Sequence, residues 1–518
     1  MPSSGGRKKK TTTDDPTAVT SDSGITSGDT SGGSDTSDTS STSEIVPVVT
    51  LVTLNKHTAS VIQGGTLDLT ATVRGENNPS LDVTWTASNS YATVSNGHVS
   101  ISNNAPANQK VTVTATSVVT PTVSDSCEIT ILQTDGSYTI LVYMCGADLE
   151  SSYASQNQGL ASSDLLEMLG TPNKPSNVNI VIETGGASKW SSNPGVDKNY
   201  LQRYHIANNQ LVLDKNETKA NMGLANTLKS FITWGCQTYP ADKTGLIFWN
   251  HGGAVTGACF DENYSNDGLL ASEMAEAYQG AFNTLGVDKL EWVGYDCCIM
   301  AYADLAAINS QYFNYMVSSQ ELESGYGWDY DAWLPSLYSN TSISTPTLLS
   351  TICDTFVSEN GGDSSNNDQC LSVLDLSKMA SFTTAFDTTF AGSLTSSNWS
   401  NISSTYSSVL KFADLSDYHS GTYGYGMADM KAFLTKAQSS YSFNTGAALT
   451  ALNQVTIHSA YGGYYGSTKP CGLNIFVPAD DYYAQVSEDD YGENDTLFTN
   501  WRNFVIANGT FAGGGWGW

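Results

Sequence analysis

The chain has 518 residues, of which 51 are acidic and 22 basic, so its formal net charge at pH 7 is −29. This acidity opposes binding to nucleic acid or to an anionic membrane surface, and the sequence has no run of 18 apolar residues that could span a bilayer. Nine cysteines are too few for a disulfide scaffold in a chain of this length, and no His/Cys cluster has the spacing of a structural zinc site.

Residues 1–45 hold almost no aliphatic side chains and are dominated by Ser, Thr, Gly and Asp. Such a segment cannot bury enough apolar surface to offset the entropy lost on ordering, so we expect a disordered linker. The basic patch Arg7–Lys10 is not followed by an apolar stretch. No signal peptide is therefore visible, and we expect this start to be truncated.

Short segments of alternating polar and apolar residues fill residues 46–134, and turn residues separate them at intervals of roughly ten. Examples are Thr66–Val73, Val83–Ala87 and Val111–Ala115. This pattern predicts an all-β antiparallel sandwich with Trp85 in its core. The strings GGTLDLTATV, VTWTASNSYATVSNGHV and VTVTATS also resemble bacterial Ig-like domains of the type 2 group.

From residue 137 onward, apolar runs alternate with amphipathic helical patterns, and we assign 137–518 to one domain. The runs are Tyr138–Met144, Val178–Ile182, Gly245–Trp249, Leu290–Tyr295 and Leu371–Leu374, and the helical patterns are Ser162–Leu169, Ala220–Thr233, Ala271–Thr284 and Ala301–Asn309. This alternation predicts an α/β fold with a mainly parallel sheet and helices on both faces. A late strand at Gly472–Val477 is expected in the same sheet or in a small accessory layer.

Two of these apolar runs end abruptly in reactive side chains: Leu246–Gly253 (LIFWNHGG) and Trp292–Met300 (WVGYDCCIM). Ligands of parallel sheets bind outside the carboxyl ends of the strands, which is where a thiol nucleophile and a histidine base would meet. The first run supplies His251. Neighbouring side chains on a strand point to opposite faces, so at most one of Cys297 and Cys298 faces the cleft, and spacing alone does not choose between them.

NHGG at 250–253 together with GYDCCIM at 294–300 resembles the clostripain family of cysteine peptidases, family C11 of the caspase-like clan. Three other stretches add to the resemblance, which covers about 137–518: Tyr143–Glu150 (YMCGADLE), Ser318–Tyr330 (SSQELESGYGWDY) and Pro470–Pro478 (PCGLNIFVP). The resemblance implies a caspase-like fold for this region.

The resemblance also implies a role for each site residue. Cys298 would attack the scissile carbonyl and His251 would protonate the leaving amine. The N–H groups of Gly252 and Cys298 would hold the oxyanion. Asp296, two residues before the nucleophile, would line the P1 pocket and select Arg or Lys. Asp148 is a second acidic candidate for that pocket.

Family members are often activated by self-cleavage after a basic residue downstream of the histidine. Lys289 is the one basic residue between His251 and Cys298, and the segment Ala254–Leu270 contains none. We therefore expect the enzyme to act as a single chain.

Some members of the family depend on calcium. The acidic loop Asp261-Glu262-Asn263, with Asp267 nearby, is a candidate calcium site. A solvated acidic loop is the simpler interpretation, and no other cofactor is expected.

The sequence therefore predicts a secreted or surface-associated cysteine endopeptidase that cleaves protein or peptide substrates after Arg or Lys. The Ig-like module and the linker suit an extracellular protein that associates with the cell wall or cell surface. Two alternatives stay open: an inactive peptidase-like adhesin or binding protein, and a transpeptidase that uses the same Cys-His dyad.

Overall fold

The computed structural model describes residues 46–102, 105–106, 109–132, 136–362, 364–414, 424–479, 491 and 497–511. The linker predicted at residues 1–45 lies outside this set. Within these ranges, no helix combines the length and apolar character that crossing a bilayer requires.

The structure is built from short strands followed by alternating strands and helices. In chain order, the strands are β1 (Val48–Leu54), β2 (Thr58–Ile62), β3 (Thr66–Asp68), β4 (Ala71–Glu76), β5 (Val83–Ala87), β6 (Ala92–Ser95), β7 (His98–Ile101), β8 (Lys110–Ser117), β9 (Ser124–Leu132), β10 (Tyr138–Cys145), β11 (Val178–Gly185), β12 (Tyr200–Ala207), β13 (Gln210–Thr218), β14 (Lys243–Trp249), β15 (Ala258–Asp261), β16 (Asp267–Leu269), β17 (Leu290–Asp296), β18 (Phe313–Ser318), β19 (Cys370–Asp375), β20 (Lys411–Asp414), β21 (Gly424–Asp429), β22 (Thr456–Tyr461) and β23 (Asn474–Phe476). The α-helices are α1 (Ala147–Ser151), α2 (Leu160–Gly170), α3 (Ala225–Thr238), α4 (Ala271–Leu285), α5 (Ala303–Asn309), α6 (Tyr330–Ser339), α7 (Thr345–Glu359), α8 (Met379–Thr384), α9 (Trp399–Tyr406), α10 (Met430–Tyr441), α11 (Gly446–Leu452) and α12 (Thr499–Asn508).

The described part of the N-terminal region forms three small sheets, with the strand orders β1-β4, β3-β7-β6 and β2-β9-β8-β5. All pairs are antiparallel except β2 and β9. Alternate residues of β8 are buried, and Trp85 packs against the same core. The predicted Ig-like β-region is confirmed, although the run predicted as one strand at Thr66–Val73 is divided between β3 and β4.

The region that follows is built on a sheet of nine described strands, in the order β13-β12-β11-β10-β14-β17-β18-β19-β22. Its five central strands are parallel, and two antiparallel strands flank them at each edge. The predicted α/β fold is thus confirmed, with antiparallel edges that the sequence did not predict. The edge strand β13 is largely exposed and lacks the continuous apolar run that marks a buried parallel strand.

Helices cover both faces of this sheet, because successive side chains of a strand point to opposite faces. On β10, Leu141 and Tyr143 pack in one apolar cluster with residues of α3, α4 and α5. Ile140 and Val142 pack in a second cluster with residues of α2, α6 and α7. Both faces of β10 are therefore buried, which accounts for its uninterrupted apolar sequence.

The late strand predicted at Gly472–Val477 lies in an accessory sheet with the order β20-β21-β23. Asn474 of β23 connects this sheet to the loop after β18. Its side-chain amide donates to the carbonyl of Gln320 at 2.9 Å, and the Gln320 amide donates to Asn474 Oδ1 at 2.9 Å. Both residues are buried, so the pair fixes the start of the loop that carries Glu323 into the site described next.

Candidate active site

A cavity of about 240 Å³ lies at the carboxyl ends of the adjacent parallel strands β14 and β17. Its lining includes His251, Asp296, Cys298, Glu323 and Tyr425. Sheets of this type bind their ligands at this edge. The described residues that line the cavity include carboxyl groups but neither Lys nor Arg. The cavity is therefore suited to a cationic ligand.

His251 follows β14 and is positioned by a firmly anchored backbone. The buried side chain of Asn250 donates to the carbonyl of Cys145 at 2.6 Å and accepts from the amide of Phe260 at 2.8 Å. The amide of Cys259 donates to the His251 carbonyl at 3.3 Å. These bonds tie the end of β14 to β10 and β15, so the imidazole projects from a fixed point.

The carboxylate of Asp148, in the first turn of α1, contacts the imidazole of His251. Its Oδ1 lies 2.9 Å from His251 Nε2, and this hydrogen bond holds the pKa of the Asp148 carboxyl below its usual range. The side chain of His251 is 17 % exposed and that of Asp148 is 53 % exposed. Asp148 is therefore ionised at neutral pH and paired with the ring. Its role in the P1 pocket stays a prediction.

The adjacent cysteines lie in different environments. Cys297 is 2 % exposed, and its thiol points to the carbonyl of Phe248 at 3.4 Å. Cys298 is only half-buried, and its Sγ accepts a hydrogen bond from the amide of Glu323 at 3.3 Å. Burial raises the pKa of the Cys298 thiol to about 12, while the amides of Glu323 and Gly252 act to lower it. Cys298 is thus the more accessible thiol, with amide donors around its sulfur.

The backbone next to Cys298 is crowded and strained. An ideal Cβ at Gly252 would lie 2.1 Å from the carbonyl oxygen of Cys298, so no other residue fits there without a backbone shift. Ile299 has a φ of 52°, a left-handed conformation that is rare for a β-branched residue. A hydrogen bond of 3.0 Å from its amide to the carbonyl of Glu321 holds it there. Such strain is concentrated at functional sites.

Asp296, the last residue of β17, presents a buried carboxyl group to the cavity. The hydroxyl of Tyr330 donates to its Oδ2 at 2.9 Å, and the amide of Trp328 donates to its Oδ1 at 3.2 Å. Burial nevertheless raises the pKa of Asp296 to about 7, because desolvation disfavours the charged form. A bound cation would favour the ionised form again.

Sequence reasoning missed a second carboxyl group of the cavity, that of Glu323. Both of its oxygens are buried, and neither accepts a hydrogen bond from an N–H or O–H group of the described residues. Burial raises the pKa of Glu323 well above its usual range, and the neighbouring Asp296 adds to this effect. Its only sequence signal was its position within the motif SSQELESGYGWDY.

A third carboxyl group, that of Asp164 on α2, lies behind Asp296. It is buried and accepts a hydrogen bond from Trp249 Nε1 at 2.6 Å. An ideal Cβ at Gly327 would lie 2.9 Å from Asp164 Oδ2 and 3.1 Å from Asp296 Oδ1, so both carboxyl groups border this glycine. No sequence signal pointed to Asp164, because it lies in a helix remote from both motifs.

The loop proposed for calcium does not fit that ion. The carboxylates of Asp261, Glu262 and Asp267 accept hydrogen bonds from separate partners. These partners are the amides of Met222 and Asn263 for Asp261, the Ser151 hydroxyl and Ser188 amide for Glu262, and the Asn221 side chain for Asp267. Across the described ranges, no group of three or more His, Cys, Asp or Glu side chains is arranged to hold a metal ion.

Comparison with protein families gives two matches. The model of the clostripain family, Peptidase C11, matches residues 142–506, and that of the bacterial Ig-like domain (group 2) matches residues 48–131. Among curated proteins, the chain is similar to clostripain of Hathewaya histolytica, with 28 % identity over 192 residues. This match covers 32 % of the chain and 35 % of that relative, so it spans about a third of the relative's length.

Solved structures of two bacterial proteins are similar. A secreted C11 cysteine protease from Bacteroides thetaiotaomicron, in complex with an irreversible peptide inhibitor, has 15 % identity and a TM-score of 0.50, over 69 % of this chain and 99 % of that one. An inactive zymogen C11 protease from Parabacteroides distasonis has 18 % identity and a TM-score of 0.49, over 66 % and 92 %. Because the identity is only 15 %, the likeness to the Bacteroides enzyme shows that the two proteins share a fold.

Proposed function

Since the chain belongs to the clostripain family of cysteine peptidases, we propose that it is an endopeptidase that uses Cys298 and His251 to cleave after Arg or Lys. The observation that carries this proposal is the shared cavity of His251, Cys298 and Asp296. It lies at the carboxyl ends of two neighbouring parallel strands, and the described residues that line it include a buried carboxyl group but neither Lys nor Arg.

Cys298 Sγ forms a bond with the scissile carbonyl carbon, and the thiol proton passes to His251. The N–H groups of Gly252 and Cys298 hold the oxyanion. The crowding of Gly252 against Cys298 and the action of its amide on the Cys298 sulfur support this role for Gly252. His251 then protonates the leaving amine, and water hydrolyses the thioester, which restores the free thiol.

Asp296 pairs with the cationic P1 side chain. A buried carboxyl group without a cation is costly to ionise, and an arginine guanidinium or lysine ammonium offsets that cost by charge pairing. The hydrogen bonds from Tyr330 and Trp328 hold the carboxyl group in one orientation, which favours a defined ligand geometry.

Asp148 orients His251 and stabilises the ring when it is protonated. The 2.9 Å contact with Nε2 and the low pKa of Asp148 support this role. Asp148 is a positioning residue here, whereas a place in the P1 pocket would give it a role in specificity.

Replacing Asp148 with asparagine is expected to lower kcat roughly tenfold to a hundredfold with little change in KM. The loss should be the same for Arg, Lys and neutral P1 residues. A loss restricted to Arg and Lys substrates would instead assign Asp148 to the P1 pocket.

The substrates are proteins or peptides that present Arg or Lys, and the enzyme acts outside the cell or at its surface. The Ig-like region supports this location, as does the similar Bacteroides enzyme, which is described as secreted.

A P1-scanning peptide library tests the proposed function directly. We expect cleavage after Arg and Lys only, at equal rates with and without added calcium, since the acidic loop is occupied by protein donors. Product masses in the presence of an added amine separate hydrolysis from transpeptidation. Absence of cleavage at every P1 residue would contradict the proposal and favour the inactive binding protein.

A further inference from the structure

Glu323 contacts the reacting sulfur through its backbone amide and also lines the cavity. Its amide donates to Cys298 Sγ at 3.3 Å, and the residue lines the same cavity as Asp296. Both carboxyl oxygens are buried without a protein N–H or O–H donor in the described ranges. A buried carboxyl group in this state is costly and is a mark of a ligand site rather than of a structural contact.

Glu323 and Asp296 are close enough to act on each other, and their side chains are within hydrogen-bonding reach. Two ionised carboxylates have no proton to donate, so a hydrogen bond between them requires one shared proton. Among the described residues, the groups that face the pair are Asp164 from α2, His251 from the loop after β14, Cys297 and Cys298 from the loop after β17, Tyr330 from α6, Cys370 from β19 and Tyr425 from β21. No Lys or Arg occurs among them, so a proton is what relieves the repulsion.

We infer that Glu323 is a second carboxyl group of the P1 pocket, that it shares a proton with Asp296 while the pocket is empty, and that a cationic P1 side chain displaces this proton into solvent. The inference rests on the proposed function, because it concerns the same pocket. Binding is then an exchange: one proton leaves the pair, and one guanidinium or ammonium group takes its place between the two carboxylates.

This exchange gives binding a defined dependence on pH. Protons compete with the P1 cation, so affinity rises as the pH increases. The raised pKa of Asp296, about 7 in the empty pocket, puts the change near neutral pH. A neutral P1 side chain cannot replace the proton, so its binding should not release one.

Titration calorimetry of the Cys298→Ala variant measures the number of protons that are released when a peptide binds. Two peptides of one sequence, with arginine or its neutral isostere citrulline at P1, are titrated at pH 7 in phosphate and in Tris buffer. The pKa of Asp296 is about 7, so the shared proton is present in about half of the molecules at this pH. We therefore expect release of about half a proton with arginine and none with citrulline. Equal proton counts for the two peptides would overturn the inference.

The Glu323→Gln variant tests the residue itself. We expect kcat/KM for Arg and Lys substrates to fall tenfold or more and the proton release, measured in the Cys298→Ala background, to disappear. Glu359→Gln, at an exposed glutamate at the end of α7, is the control and should change neither. Alkylation of Cys298 by iodoacetamide reports whether the variant retains an intact nucleophile site.

The outcomes separate the two proposals. If the unmodified enzyme cleaves after Arg and Lys while Glu323→Gln retains its kcat/KM and its proton release, only the inference about Glu323 is wrong. If the unmodified enzyme cleaves nothing after Arg or Lys, the proposed function fails.

Discussion

Replacing Cys298 with alanine is expected to lower kcat/KM for peptides with Arg or Lys at P1 by at least about a thousandfold. Without the sulfur no thioester forms, and the histidine and amide donors have no nucleophile to assist. Release of a fluorescent group from Arg and Lys substrates measures the loss. The fold should be unaffected, because the side chain is half-buried and alanine is smaller.

Cys297→Ala is the matched control, one residue away on the same loop. Its thiol lies in the core against the Phe248 carbonyl, so the variant should keep its activity within about threefold. A chloromethylketone with arginine at P1 should also protect Cys298, and not Cys297, from alkylation by iodoacetamide. Equal loss in both variants, or no loss in either, would contradict the assignment of the nucleophile.

Replacing Asp296 with asparagine is expected to cost about 2–4 kcal/mol of transition-state binding for cationic P1 residues, or roughly 30- to 1000-fold in kcat/KM. The amide keeps the shape of the side chain but has no charge for the guanidinium or ammonium group. Kinetics with Arg, Lys and Gln at P1 measure the effect, and the Gln substrate should lose far less than the other two.

The pH profile gives a second readout of the same variant. A protonated carboxyl group cannot pair with a cation, so kcat/KM of the unmodified enzyme should rise as the pH increases through about 7, the pKa of Asp296. Asp296→Asn should lose much of this rise. Asp331→Asn, at an exposed residue of α6, should leave the profile unchanged. An equal loss for Arg, Lys and Gln substrates would mean that Asp296 is only structural.

The strands that carry the two motifs could be predicted because a strand buried on both faces has a continuous apolar sequence. β14 and β17 are covered on both faces, so each is a continuous apolar run that stops where the chain reaches the cavity. The edge strands β12 and β13 have a less continuous apolar pattern, since part of their surface is exposed. Fold class was therefore predictable, and the antiparallel edges were not.

The residues of the candidate site likewise fall into those that the sequence could predict and those that only the structure places there. His251 and the adjacent thiols Cys297 and Cys298 were predicted because they stand at strand ends, whereas the choice of Cys298 and the role of Asp296 came from the family resemblance. The contact of Asp148 with His251, and the closeness of Glu323 and of Asp164 to Asp296, could not be inferred. These pairs join residues that are far apart in the chain: 103 positions separate Asp148 from His251.

By itself, the sequence determined that this chain forms an α/β domain after an Ig-like one, and that two adjacent thiols and one imidazole were candidates for its chemistry. Only the tertiary structure decided which carboxyl groups surround them. It places Asp296 and Glu323 in the lining of the cavity and Asp148 against the imidazole of His251. The physical reason is that periodicity and motifs record the burial and spacing of neighbours along the chain. The charge state of a buried acid instead depends on every group that folding brings within a few ångströms of it.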